Sequence, residues 1–402
     1  MCCRLQIKKL YIFWICMVKN SDYRLVRGMK DLVNHDAEKF DCIVRVATEL
    51  AEKYNFQHLI TPIVEYTSLF ERNLGNESDI VHKEIYRFED RGGDLLALRP
   101  EMTAGVCRFV IENGLFQGPF PHKYFSYGPV FRYDRPQKGR YRQFHQLNFE
   151  IFGMREMAPE IRVYLAMIRE LFDRIGIKDV VLKINHLGTA SERAAYTMAL
   201  RDYLTKYESD LSEDSRRRLR TNVLRILDSK DAGDRQILQQ APILFDYLSN
   251  EQKAFLQSFD DRCQIDYSLV RGLDYYSGFV FEVVTDKIGE TQNACCGGGE
   301  YNNLIEDMSG KKLSAFGFAL GIERLFDLMD ASRAVSCAPL YVHLTNKGNL
   351  VDNARNEINL AYSNDLTKGL KYANQIGANF VIFETDGILY KKDLSTGEQT
   401  TI

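Results

Sequence analysis

The run YFSYGPVFRYDRPQKGRYRQFHQLNFEIFG, Tyr124 to Gly153, constrains this chain more than any other. Two strand-like stretches flank a loop crowded with Arg132, Arg135, Lys138, Arg140 and Arg142, which reads as a phosphate-handling hairpin. The second stretch alternates strictly, with Gln146, Asn148 and Glu150 on one face and Leu147, Phe149 and Ile151 on the other, as a half-buried strand requires. Guanidinium forks bind phosphate oxygens bidentately, and a carboxylate two residues from a hydrogen-bonding amide suits an ammonium or an imidazole. A basic loop taken alone is also what a solvated, salt-bridged hairpin shows. The rest of the chain decides between the two.

A length of 402 residues exceeds one ordinary core and predicts two or three domains. The net charge of -3 excludes a surface coated with cations for sequence-blind nucleic-acid binding, so any such contact comes from local patches such as the Arg135 to Arg142 loop. Nine scattered cysteines, without a CxxC pair or a Cys/His metal spacing, read as core thiols in a reducing cytosol; neither a disulfide framework nor structural zinc is expected. Leu10 to Val18 is apolar behind Arg4, Lys8 and Lys9, but it is far below the ~20 apolar residues that cross a bilayer, and no small-residue cleavage site follows it. Residues 1–20 are read as an extension, with Met17 the natural start.

Asp36 to Asn55 has helical periodicity through Phe40, Ile43, Val44, Ala47 and Leu50. Phe56 to Glu65 follows as a strand holding Pro62, which places it at an edge or an interface. Between Glu84 and Thr103, two short alternating runs joined by Gly92 and Gly93 signal a hairpin. Helix formers dominate from the arginine hairpin to Asp266, including Pro159 to Ile175 and Ser212 to Lys230. Strands are expected again at Leu269 to Thr285 and Leu313 to Gly321, with a helix from Ile322. The last segment, Pro339 to Ile402, alternates strand-like PLYVHLT, helix-like VDNARNEINLAY and DLTKGLKYANQI, and strand-like ANFVIFE, a βα pattern with parallel pairing.

The helix and Pro62 strand, the arginine hairpin and AFGFALGIERL resemble, in that order, motifs one, two and three of class II aminoacyl-tRNA synthetases. LVRGLDYYSGFVFE, LRPEMTAGVCR and RPQKGRYRQFHQ resemble peptides of the bacterial histidyl-tRNA synthetase family, and the match covers nearly everything from Arg27 to Arg324. The resemblance implies an α+β protein. Residues 21–330 would form a class II catalytic domain with a mostly antiparallel sheet and a helical insertion at about 175–262, and 335–402 an abbreviated α/β anticodon-binding domain.

The chemistry it implies is attack of the histidine carboxylate on the ATP α-phosphate, followed by transfer of histidine to its tRNA. Two anions then meet, which calls for cations rather than a nucleophilic side chain. By resemblance Arg132 binds the α-phosphate, Arg324 the γ-phosphate, and Arg271 bridges the histidine carboxylate and the α-phosphate. Glu101, Thr103 and Gln146 take the α-amino and carboxylate end, and Glu150, Tyr276 and Tyr301 the imidazole. Magnesium is expected to accompany ATP, with no dedicated metal site in the chain. For Tyr275 a packed core aromatic and a ligand contact both stay open, and His145 reads as a structural partner of the hairpin.

CCGGGEYNNL is expected to let the backbone approach the histidine pocket closely. Two positions depart from the family: Glu300 and Asn302 stand where Arg and Asp usually flank the tyrosine, and Met102 replaces a glycine. Gln137 and Arg142 are candidates for the tRNA acceptor end. In the terminal domain, the run joining Leu360 to Asp365 leaves no room for the family's second strand. The Pro62 region resembles an interface motif and implies a homodimer; a membrane partner is not implied. The competing reading is a non-catalytic histidine-binding paralogue, like the regulatory subunit of ATP phosphoribosyltransferase, which typically lacks the full arginine set and the anticodon domain.

Overall fold

The computed structural model describes residues 23–73, 84–137, 139–259, 262–273, 275–288, 293–329, 341–345, 357–361, 366–375 and 378–401. The extension read at residues 1–20, and Lys138, lie outside them. The strands are β1 (Gln57–His58), β2 (Val64–Tyr66), β3 (Arg87–Glu89), β4 (Leu95–Leu98), β5 (His122–Phe131), β6 (Gln143–Phe152), β7 (Val181–His186), β8 (Cys263–Ile265), β9 (Phe279–Val284), β10 (Ala294–Glu300), β11 (Ala315–Gly321), β12 (Tyr341–Thr345), β13 (Glu357–Ala361), β14 (Phe380–Thr385), β15 (Ile388–Asp393) and β16 (Gln399–Thr401). Eight form one sheet in the order β1-β5-β6-β11-β10-β9-β7-β8, antiparallel except at its two outer pairs. The arginine hairpin is its centrepiece: β5 and β6 pair from His122 opposite Phe152 to Phe131 opposite Gln143.

Helix α1 (His35–Lys53) buries Cys42, Ile43, Val46, Ala47, Leu50 and Ala51, one apolar stripe at helical spacing. It packs with α4 (Met157–Arg174) behind the sheet, where Phe56 meets Phe149 and Tyr164 edge-on. α2 (Thr67–Asn73) and α3 (Thr103–Glu112) lie toward the other face. There Phe109 of α3 meets Tyr124, whose strand partner is Glu150.

Several sequence expectations change in detail. Phe56 to Glu65 is not one strand: β1 and β2 belong to different sheets, with Pro62 between them. Proline cannot donate to a ladder, and Arg99 Nη1 instead donates to the carbonyl of Thr61, 2.9 Å away. Leu269 to Thr285 is strand only from Phe279, because its first half is a loop carrying Arg271, Tyr275 and Tyr276. The glycine run forms β10, a central strand that the lack of side chains had concealed.

The helices α5 (Ala190–Thr205), α6 (Glu213–Thr221), α7 (Ala232–Leu238) and α8 (Asn250–Gln257) each start on a side-chain cap, from Thr189, Ser212, Asp231 and Ser249. The helical stretch is narrower than 175–262, since β7 within that span pairs with β9 in the main sheet. Its buried residues, Tyr196, Leu200 and Leu204 among them, join the same apolar cluster as the sheet. After α9 (Asn302–Ser309) and α10 (Ile322–Leu325), a second sheet of order β13-β12-β14-β15-β16 and helix α11 (Leu366–Gln375) make a small α/β unit. Ala373, Ala378, Val381 and Phe383 form its separate core. Two terminal expectations are corrected here. Glu357 to Ala361 is strand rather than helix, parallel to β12, so the second strand held to be missing is present. Short segments with mixed patterning leave strand and helix hard to separate by periodicity.

Candidate active site

The register of the main sheet assembles the site. Glu150 lies opposite Gly317, and Gly317 opposite Gly299; Asn148 lies opposite Ala319, and Ala319 opposite Gly297, whose other neighbour is Glu282. Residues directly opposite share a face, so small residues on β10 and β11 lie between polar side chains on β6 and β9. The vacancies are used. A Cβ at Gly317 would collide with the Glu150 carboxylate, and one at Gly297 with the Arg271 guanidinium. The close backbone approach expected of the glycine run is therefore made first by the protein's own arginine.

Arg271 pairs with Glu282 and lies 5.7 Å over the Tyr276 ring. Burial works against its charge, but the Glu282 carboxylate, helped by Tyr276, outweighs that and raises its pKa. Arg132 donates from Nε to the Pro100 carbonyl at 2.9 Å and stacks 5.3 Å from Phe144. Arg324, on α10, donates from Nη1 to the Ala294 carbonyl at 2.8 Å and from Nε to Gly139 at 3.3 Å. Burial lowers the pKa of both Arg132 and Arg324, and Arg324 is depressed further by the charges of Arg132 and Arg140 while Glu282 opposes. Arg324 thus feels the charge of Arg132 and that of the carboxylate paired with Arg271. Like charges within reach of one another call for an anion to offset them.

A cluster of buried polar side chains surrounds Glu150. Glu150 is 1% exposed and accepts hydrogen bonds from Thr103 Oγ1, at 2.6 Å, and from the Tyr301 hydroxyl. Burial pushes its pKa to about 8 against those two donors. Glu101 accepts from the backbone N–H groups of Thr103 (2.6 Å) and Ala104 (3.0 Å), capping α3, and burial raises its pKa despite them. Gln146, on the same face, keeps a buried Oε1 without a partner, as does Arg271 its Nε. The rings of Tyr275 and Tyr276 pack at a tilt with centroids 4.7 Å apart, and Tyr275 meets Tyr301 edge-on at 5.7 Å. Tyr275, left open by the sequence, stands among the site groups, its pKa raised by burial and by Tyr276, Glu101 and Glu150.

Met102 does not disturb Glu101 or Thr103, because its φ of -106° and ψ of -23° suit any residue. Glu300 accepts from the backbone of Phe279 at 3.2 Å beneath the tyrosine loop, and Asn302 Oδ1 accepts from Ala315 at 2.7 Å, so both act as backbone braces. His145 reaches Glu323 through its backbone N–H and its Nδ1, at 2.7 Å, which ties β6 to the helix of Arg324. In the hairpin loop, Gln137 is exposed and forms an isolated bridge with Arg140, while Arg142 stacks 3.8 Å over Tyr133. Glu282 and Glu323 received no role from the sequence, and Asn148 only its place on the polar face two residues from Glu150. For Glu282 and Asn148 the signal was the strand alternation, which puts them on the face of known candidates.

An antiparallel sheet that carries an arginine hairpin and a strand-helix arginine over one polar face defines a class II aminoacyl-tRNA synthetase. Residues 28–325 match the histidyl-tRNA synthetase family. The histidine–tRNA ligase of Wolbachia pipientis is 42% identical over 400 residues, 94% of this chain and 97% of that protein. That of Francisella philomiragia is 44% identical over 322 residues, covering 77% and 75%. The apo Staphylococcus aureus histidyl-tRNA synthetase crystal structure superposes with a TM-score of 0.70 at 29% identity, covering 94% and 97%. The chain belongs to the histidyl-tRNA synthetase family.

Proposed function

We propose that this enzyme activates L-histidine with ATP to histidyl-adenylate and pyrophosphate, then transfers histidine to the 3' end of histidine tRNA. The linked charges of Arg132, Arg324 and the Arg271–Glu282 pair, together with the buried Glu150 cluster, carry the reading. Arg271 bridges the histidine carboxylate and the α-phosphate, Arg132 holds the α-phosphate, and Arg324 the γ-phosphate. With both anions held, attack is a matter of proximity and of offsetting charge on the pentavalent phosphorus; removing one donor costs roughly 3 kcal/mol, on the order of a hundredfold in rate. Glu101, Thr103 and Gln146 receive the amino acid's α-end, and Glu150, Tyr276 and Tyr301 its ring. A ring without those nitrogens leaves buried partners unsatisfied, which discriminates without an editing step.

Among the described residues, no cluster of three or more His, Cys, Asp or Glu side chains could hold a metal. Magnesium accompanies the triphosphate, whose phosphate oxygens suit this hard cation. Gln137 and Arg142 meet the tRNA acceptor end, and the terminal α/β unit contacts the anticodon.

A homodimer is supported by the small sheet. Val64, Tyr66 and Phe88 are 40%, 58% and 41% exposed, and their register puts them on one face with Leu96 and Leu98. An open apolar sheet face of that kind marks a protein contact. Cytoplasmic residence is supported by the free cysteines Cys42, Cys107, Cys263, Cys295 and Cys296, and no described helix is long and apolar enough to cross a membrane.

Histidine-dependent exchange between ATP and pyrophosphate tests the reading. Folded protein that binds histidine without exchange would be the regulatory paralogue instead.

A further inference from the structure

Asn148 occupies the middle of the polar row on β6, between Gln146 and Glu150, and its side chain does nothing for the fold. It is 1% exposed, yet neither Nδ2 nor Oδ1 meets a hydrogen-bond partner. Burying an unpaired amide is costly, and native cores rarely tolerate one without a reason. Its cross-strand neighbours do not supply that reason. Ser126, opposite on β5, donates to the Leu59 carbonyl at 2.6 Å, and Ala319 on β11 has no polar side chain.

Asn185 provides the contrast. It is fully buried on β7 of the same sheet, and its Nδ2 donates to the carbonyls of Leu269 (3.0 Å) and Tyr267 (3.3 Å), bracing the segment that leads to Arg271. The structural asparagine is bonded through its Nδ2 and leaves only its Oδ1 unpartnered, whereas Asn148 is bonded through neither atom. Two further unpartnered atoms, Gln146 Oε1 and Arg271 Nε, belong to groups that hold the amino acid in the reading above.

We infer that Asn148 is a further substrate-contacting residue, whose amide offers a donor and an acceptor to bound histidine between the groups taken by Gln146 and Glu150. This rests on the histidine-activating reading. Residues two apart on a strand are separated by about 6.6 Å, so an amino acid whose α-end lies at Gln146 and whose ring lies at Glu150 passes over Asn148. A neutral imidazole carries one N–H and one lone pair, and an amide, unlike a carboxylate, can answer either.

The test uses Asn148→Ala and Asn148→Leu in the full chain. ATP–pyrophosphate exchange, calorimetric titration with L-histidine and thermal melts are measured on each. Both variants are expected to raise the KM and Kd for histidine about tenfold, the worth of a lost hydrogen bond, while the KM for ATP stays within about twofold. Asn148→Leu should melt no lower than wild type, since it removes a buried unpaired amide. An unchanged histidine Kd in either folded variant overturns the inference, as does a parallel rise in the KM for ATP. Should Leu fold poorly, Asn148→Asp keeps the shape, removes the donor and carries the same expectation. Wild type that binds histidine without exchange would sink the activating reading alone, because the titrations still read the contact.

Discussion

Gly297 and Gly298 are neighbours in β10, yet alanine should damage the protein differently at each. At Gly297 the three heavy atoms nearest the new methyl group all belong to the Arg271 guanidinium, the far end of a flexible side chain. The head group is displaced and its pairing with Glu282 breaks. Both side chains keep about a fifth of their surface, 18% and 22%, so water reaches the separated charges and the loss falls well short of that for a sealed pair. Replacing a strand glycine returns roughly 0.5–1 kcal/mol. The net cost is about 1 kcal/mol, a melting shift of about 3 °C. Catalysis loses a preorganised donor, and kcat for ATP–pyrophosphate exchange should fall by about 10² to 10³. At Gly298 the methyl group runs into the Gly317 carbonyl and the Phe318 backbone on β11, which cannot yield without moving the strand. That overpacking costs about 3 kcal/mol, with activity per folded molecule much less affected. Exchange kinetics and melts on the two variants decide the matter. A Gly297→Ala enzyme with wild-type kcat would refute the role of Arg271, and one melting as low as Gly298→Ala would refute the claim that only a side chain is displaced.

Glu150, with its pKa raised to about 8, keeps a proton that the unfolded chain releases near 4.5, so its contribution makes stability fall as pH rises through that window and level off above it. Urea midpoints at about pH 5 and about pH 8.5 should therefore diverge more for wild type than for Glu150→Gln, and equal slopes would contradict the burial argument. Phe88→Asp places a charge on the open sheet face and should shift sedimentation from dimer toward monomer; wild type sedimenting as a monomer refutes the interface. Arg142→Ala should slow charging of histidine tRNA about tenfold while leaving histidine-dependent exchange within about twofold, and an equal loss in both assays would assign Arg142 to the adenylation site instead.

Legibility in the sequence followed chemistry and length of pattern. The β6 alternation over Gln146, Asn148 and Glu150 survives residue by residue in the sheet register, because a period of two cannot slip without turning Leu147, Phe149 and Ile151 out of the core. The polar face is nevertheless fully covered at Asn148 and Glu150 rather than half-open. Alternation reports which side a residue takes, not what closes over it. β10 was missed because strand signals rest on side chains, which ACCGGGE largely lacks. The helix expected across Glu357 to Ala361 failed because a parallel strand draws its partners from distant residues, here β12.

By itself, the order of residues determined the class of chemistry: three arginines in separate motifs, and carboxylates, phenols and amides spaced for one polar face. The β6 alternation and the resemblance of the separate motifs to those of one family were enough for that. The tertiary structure alone decided that Arg271 rests against Gly297, that Glu150 fills the space over Gly317, and that Glu282 and Glu323 brace the arginine and hairpin machinery. Those relations cross strands and helices far apart in the chain, where no local pattern records which small residue makes room for which charge.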